Sequence, residues 1–248
     1  MLVFLHNMAN NYFQFKQFTI QQDNCGMKVT TDGCLFGAWV SSMTNDLLPI
    51  NYTLDIGTGT GLLSLMIAQK INTQIEAVEI DDAAATQAQQ NFAASPWVNR
   101  LRVYNTSIQQ FYQQSTKQYD LIITNPPFFY NDLKSDNAQR NVALHSIVLS
   151  LEELLAAIQK LLLPSGKFAV LLPYHRLDFF TALAANAGFY LHKKSLVKQT
   201  PKHANFRGML LFGYEEELTQ ETEIIIKAKD EYAADFKILL RDYYLTAN

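Results

Sequence analysis

From about Tyr52 onward the chain alternates short, β-rich apolar runs with helix-like stretches. No other feature narrows its fold so far, because this order is that of βαβ units around a largely parallel sheet. The spacing predicts strand Thr53–Ile56, helix Leu62–Lys70, strand Gln74–Ile80, helix Ala83–Ala94 and strand Leu101–Tyr104. A short helical segment near Ile108–Gln114 precedes strand Asp120–Thr124 and a long loop. Helix Leu151–Leu162, strand Lys167–Leu172 and helix Leu177–Ala187 follow, the last stopping at Gly188, a favourable C-cap residue. Strands Tyr190–Val197 and Gly208–Tyr214 complete a set of seven. A polar, basic loop joins these two strands in place of a helix, so they are predicted to pair antiparallel, since parallel neighbours need a longer crossover. The expected fold is α/β, with a mostly parallel seven-stranded sheet, one antiparallel strand and helices on both faces.

About 50 aromatic-rich residues precede this core, and Tyr232–Tyr243 after it reads as an amphipathic helix. No internal repeat, low-complexity tract or Pro/Gly linker marks a boundary. We therefore expect one domain over 1–248, comprising an N-terminal extension (1–50), a core (51–214) and a C-terminal helical extension (215–248). At 248 residues and 48% apolar content, such a chain can bury one substantial core.

Composition removes several classes of function. Cys25 and Cys34 stand alone, without the paired spacing of a zinc site or a disulfide framework, and two isolated thiols fit a reducing compartment. No basic, apolar and small-residue leader opens the chain, and no apolar run approaches the roughly 20 residues of a membrane helix. The expectation is a soluble cytoplasmic protein without metal. A net charge of −3 argues against holding nucleic acid by charge alone. One stretch is nonetheless locally basic: Lys193, Lys194, Lys198, Lys202, His203 and Arg207 fall within fifteen residues that contain no acid. It is a candidate phosphate contact, or else a solvated edge hairpin.

Leu54-Asp55-Ile56-Gly57-Thr58-Gly59-Thr60-Gly61 follows a strand and opens a helix. Glycines there let the backbone turn sharply and approach a flat or anionic ligand. The G-x-G-x-G spacing departs from the G-x-G-x-x-G of dinucleotide enzymes, which weakens a nicotinamide-dependent reading. Glu79 closes the second strand, where a carboxylate can accept from both hydroxyls of a ribose.

The most specific signal is Asn125-Pro126-Pro127-Phe128, entered directly from the apolar strand Asp120–Thr124. Each proline sets its own φ and extends the residue before it, so Asn125 and Pro126 are held with their acceptors aimed outward. The Asn125 side-chain oxygen and the Pro126 carbonyl can then take both hydrogens of an NH₂ group. That contact turns the nitrogen lone pair toward an electrophile. Phe128 offers a face on which an extruded planar base can stack, worth roughly 1–3 kcal/mol.

With both motifs present, the chain resembles the Rossmann-like class I methyltransferases that act on amino groups of adenine, cytosine or glutamine. The N-terminal run Phe13-Gln14-Phe15-Lys16-Gln17-Phe18-Thr19-Ile20, then Met27 through Trp39, is similar to the start of the bacterial valine-tRNA adenine-N6 methyltransferases. Leu163-Pro164-Ser165-Gly166, Thr200-Pro201-Lys202-His203 and Phe206-Arg207-Gly208 extend the similarity. The resemblance implies S-adenosyl-L-methionine as donor and a tRNA as partner, methylated at the adenosine 3′ of the anticodon. By position it implies that Asp55, Gly57, Thr58, Gly59, Glu79, Ile80, Ser107 and Asn125 meet the cofactor. Lys28, Thr31 and Asp32 line its methionine end, and Asn125, Pro126, Pro127 and Phe128 face the adenine. Ser107 stands where many relatives have Asp, and Leu144 before His145 where they tend to have Arg. Two other functions stay open: a protein-glutamine methyltransferase, whose relatives usually carry an N-terminal helical domain missing here, and a non-catalytic RNA-binding module. A monomer is expected.

Overall fold

The computed structural model describes residues 10–23, 25–43, 49–126 and 149–245. Its centre is an eight-stranded sheet. In chain order the strands are β3 (Tyr52–Ile56), β4 (Gln74–Glu79), β5 (Leu101–Asn105), β6 (Tyr119–Thr124), β7 (Leu162–Pro173), β8 (Tyr190–Lys198), β9 (Asn205–Gly213) and β10 (Gln220–Ile225). They lie in the order β10-β8-β9-β7-β6-β3-β4-β5. Only β9 runs against its neighbours, pairing antiparallel with both β7 and β8. Helices Leu62–Lys70 (α2), Asp82–Ala93 (α3), Ile108–Gln114 (α4), Leu151–Leu161 (α5) and Leu177–Asn186 (α6) connect the strands. An N-terminal hairpin, β1 (Tyr12–Gln14) with β2 (Thr19–Gln21), precedes α1 (Thr31–Ser42).

The seven expected strands and their single antiparallel member are present; the eighth strand corrects the expectation of a purely helical C-terminal extension. Gln220–Ile225 buries only Ile224 and presents acids outward, so its alternation is weak. A parallel ladder with Lys193–Lys198 of β8 holds it, and charge across the pair adds to this: Glu221 bonds Lys194 at 3.2 Å and Glu223 bonds Lys198 at 2.8 Å. A minor hairpin, β11 (Lys227–Ala228) with β12 (Glu231–Tyr232), then leads into α7 (Ala234–Leu240), shorter than the expected Tyr232–Tyr243.

Two apolar layers cover the sheet. One face packs against α5 and α6 through Leu154, Ile158, Phe168, Phe180 and Phe212. The other packs against α1, α2 and α7. The N-terminal phenylalanines belong to this second core: Phe15 and Phe18 are buried and stacked 4.4 Å apart, and Trp39 is buried in α1. Helix α1 lay outside the expected elements. It is buried on nearly every side from Gly33 to Ser41, so no amphipathic period marks it, and two glycines lower its helix propensity. Gly37 has a packing reason, since a Cβ there would lie 2.6 Å from the Met66 sulfur of α2. The C-terminus ties down the same layer, with the Tyr243 hydroxyl donating to Met66 O at 3.0 Å and Lys16 N donating to Tyr243 O at 2.8 Å. Among the described residues no helix is long and apolar enough to cross a membrane, and no cluster of His, Cys, Asp and Glu could hold a metal ion.

Candidate active site

A cavity of about 720 Å³ opens at the C-terminal ends of β3, β4 and β6, the edge where open α/β sheets place ligands. Its floor is the turn after β3. Gly57, Gly59 and Gly61 all adopt left-handed backbone, with φ of +71°, +57° and +86°. Gly57 and Thr58 both donate to Val78 O, at 2.8 and 3.2 Å, which pins the turn to β4. Asn91 of α3 braces it from the side by donating to Thr60 O at 2.9 Å.

Glu79 stands at the end of β4 on the cavity wall, as expected. Its two oxygens accept from the backbone N–H groups of Gly59 (2.8 Å) and Asp81 (3.0 Å), which fixes the carboxylate and leaves further lone pairs for a ligand. Ile80 is 52% exposed at the rim, an apolar surface that a flat ring could cover. Ser107 also lines the cavity, but its oxygen caps α4 by accepting from Gln110 N at 3.2 Å, leaving its hydroxyl hydrogen to donate. Lys28, Gly57, Thr58 and Gly59 line the cavity too.

Three residues expected at the cofactor lie elsewhere. Asp55 is fully buried beneath the turn and accepts from the hydroxyls of Thr58 (2.6 Å) and Ser64 (2.7 Å), so it shapes the loop from below instead of lining the cavity. Asp32 is drawn away by Arg207, whose Nε donates to it at 2.7 Å, and Thr31 is likewise not among the lining residues. From that segment the cavity is lined instead by Thr30 and Gly33, together with Lys28. Thr30 caps α1 by accepting from Gly33 N. The missed signal was the Thr-Thr-Asp start of an apolar run, which marks a helix N-terminus.

Opposite Glu79, Asn125 and Pro126 line the wall at the end of β6. Thr124 anchors this end by donating to Ile56 O at 2.9 Å. The Asn125 Oδ1 is buried and has no hydrogen-bond partner among the described residues. Such an orphaned acceptor costs about 1–3 kcal/mol unless a ligand donor meets it. Pro127, Phe128, Leu144 and His145 lie outside the described residues.

Burial raises the Asp55 carboxyl from its ordinary 3.8 to about 6, because desolvation outweighs the bonds from Thr58 and Ser64. The folded chain therefore holds this proton more tightly than the unfolded one. The resulting stability is fully present below pH 3.8 and is lost as pH rises through about 6. Asp55→Asn removes the titration. In urea unfolding from pH 4 to pH 7, wild type should lose about 2 kcal/mol relative to this variant; a pH-independent difference would show that Asp55 does not titrate in this range.

In fold the chain is similar to a protein of Agrobacterium tumefaciens described as a predicted O-methyltransferase: TM-score 0.63, 11% identity, 85% of this chain and 96% of that one covered. The fold and the glycine-lined cavity define a Rossmann-like methyltransferase, and the model of the methyltransferase small domain family matches residues 39–176. Relatives named tRNA1(Val) (adenine(37)-N6)-methyltransferase are 43% identical in Cytophaga hutchinsonii (96% of this chain and 99% of that one) and 44% identical in Dyadobacter fermentans (95% and 98%). This chain belongs to that methyltransferase family.

Proposed function

We propose that the chain, acting as a cytoplasmic single-domain monomer, methylates the N6 amino group of adenosine 37 in a valine tRNA with S-adenosyl-L-methionine as donor. The observation that carries the reading is Asn125 on the wall of a glycine-floored cavity, its Oδ1 buried and without a hydrogen-bond partner among the described residues. It is an acceptor waiting for an N–H donor.

The residues fit such a cofactor. Glu79 offers carboxylate lone pairs to ribose hydroxyls, exposed Ile80 covers an adenine ring, and Ser107 can donate to a ring nitrogen. The left-handed Gly57 and Gly59 present bare backbone to the cavity. When bound, the cofactor supplies an electrophilic methyl group. Asn125 and Pro126 then bind the substrate amino group through its two hydrogens and orient its lone pair into the cavity. The nitrogen sheds its extra proton to solvent once alkylated, so no dedicated base is needed.

The test incubates the protein with methyl-labelled S-adenosyl-L-methionine and tRNA from a strain lacking its gene, followed by nucleoside digestion and mass spectrometry. N6-methyladenosine is expected, confined to the adenosine 3′ of a valine anticodon. Transfer to a protein glutamine and to no nucleoside would overturn the proposal.

A further inference from the structure

The basic stretch read from the sequence does not survive folding as a single patch. Lys194 and Lys198 pair with Glu221 and Glu223 of β10, and Arg207 pairs with Asp32. Arg176 and Lys202 instead emerge on one edge of the sheet. Because β9 runs opposite to β7 and β8, the hairpin joining β8 to β9 and the turn leaving β7 emerge on the same edge of the sheet as Asn125. Pro173, at the end of β7, pairs directly with Arg207 near the start of β9. The 3₁₀ turn Tyr174–Arg176 therefore continues beside the hairpin, one strand away from the end of β6.

This edge combines stacking surface with positive charge. Tyr174 is 47% exposed and Phe179 49%, so both rings present open surface on this edge. The Arg176 guanidinium lies 5.7 Å from the centre of the Phe179 ring, within cation–π range, and the residue is half-buried. In the hairpin, Thr200 bonds His203 through Oγ1 and Nδ1 at 2.7 Å and through the backbone at 3.1 Å, a closed turn with Lys202 exposed on it. Among the described residues neither Arg176 nor Lys202 has a carboxylate partner. Asp178 is the single acid within 174–181, and 199–207 contains none.

We propose that RNA docks on this edge, with Arg176, Lys202 and His203 meeting backbone phosphates and Tyr174 and Phe179 offering faces to unpaired bases. The inference rests on the tRNA reading above and adds to it the surface that presents the adenosine to Asn125. Separated cations flanking exposed rings match a folded stem-loop, where phosphates position and splayed bases stack. They also explain how a chain of net charge −3 holds a polyanion: only a few phosphates are contacted.

The experiment compares wild type with Arg176→Glu, Lys202→Glu and a control, Lys160→Glu, placed where α5 runs into the start of β7 on the opposite edge of the sheet. Methyl transfer to tRNA, direct tRNA binding across a salt series and cofactor binding are all measured. Each edge reversal should raise the KM for tRNA about tenfold and flatten the slope of log K against log salt by about one. Cofactor affinity and kcat at saturating tRNA should match the control. If wild type methylates tRNA and the edge variants behave like Lys160→Glu, the docking surface is wrong while the activity stands. If wild type binds tRNA without methylating it, the activity reading falls, and the loss of binding by the edge variants alone decides the surface. If wild type does not bind tRNA, or if the edge variants lose cofactor binding in parallel with tRNA, the docking proposal is overturned.

Discussion

Asn125→Ala is expected to lower kcat by a hundredfold or more while leaving cofactor affinity within about threefold, a change below 1 kcal/mol. The asymmetry follows from position. Glu79, Ile80 and the glycine turn form one side of the cavity, and Asn125 sits on the other, at the end of β6. Its Oδ1 is buried and has no hydrogen-bond partner among the described residues. Preorganised acceptors of this kind are worth most in the transition state, where the nitrogen is held out of conjugation. Alanine removes the acceptor and fills the site with nothing, so the amino group regains its planar geometry and its freedom. Asn125→Asp keeps an oxygen at the same place and should recover part of the rate, which a purely structural role would not predict. The measurement is single-turnover methyl transfer alongside cofactor titration. An equal loss of cofactor binding and rate in the alanine variant would place Asn125 in the cofactor site only.

Much of this site was readable because its parts are local. A glycine turn between a strand and a helix, a carboxylate at the next strand end and an Asn-Pro-Pro run after a fourth strand each declare themselves within a few residues, since backbone geometry dictates them. The β-α alternation likewise carried the strand order and the antiparallel β9. What escaped depends on partners far away in sequence. Asp55 looked like a ligand residue, but Ser64, one turn into α2, draws it under the loop. Asp32 looked like part of the same cavity until Arg207, 175 positions later, claimed it. The lysines of β8 looked like one basic surface, and only the acids of β10 reveal otherwise. Helix α1 was hidden for a different reason: burial on nearly every side removes the polar stripe by which periodicity finds a helix.

Two glycines of the same turn should fail in different ways. Gly61 has φ +86°, and a Cβ there would lie 2.5 Å from Cε1 of Phe92, a ring only 3% exposed in the core. Gly61→Ala therefore combines left-handed strain of about 1–2 kcal/mol with overpacking of about 1–3 kcal/mol. A loss of roughly 3 kcal/mol, or a Tm lower by about 10 °C for a chain of this size, is expected. Gly59 has φ +57°, yet an added Cβ meets no heavy atom within 4 Å, because it enters the cavity. Gly59→Ala carries only the strain, so its Tm should fall by about 5 °C. Its methyl group occupies ligand space, and cofactor Kd should rise tenfold or more. Thermal unfolding with and without cofactor separates the two. Cofactor should stabilise Gly61→Ala more than Gly59→Ala, narrowing the gap in their intrinsic stability by about 1.4 kcal/mol or more. A second change isolates the clash: Phe92→Leu shortens the ring that Gly61→Ala strikes. The double variant should then be more stable than the two single losses sum to, by about 1 kcal/mol or more. Strict additivity would mean that backbone strain alone demands glycine at 61, and that the Phe92 ring moves aside without cost.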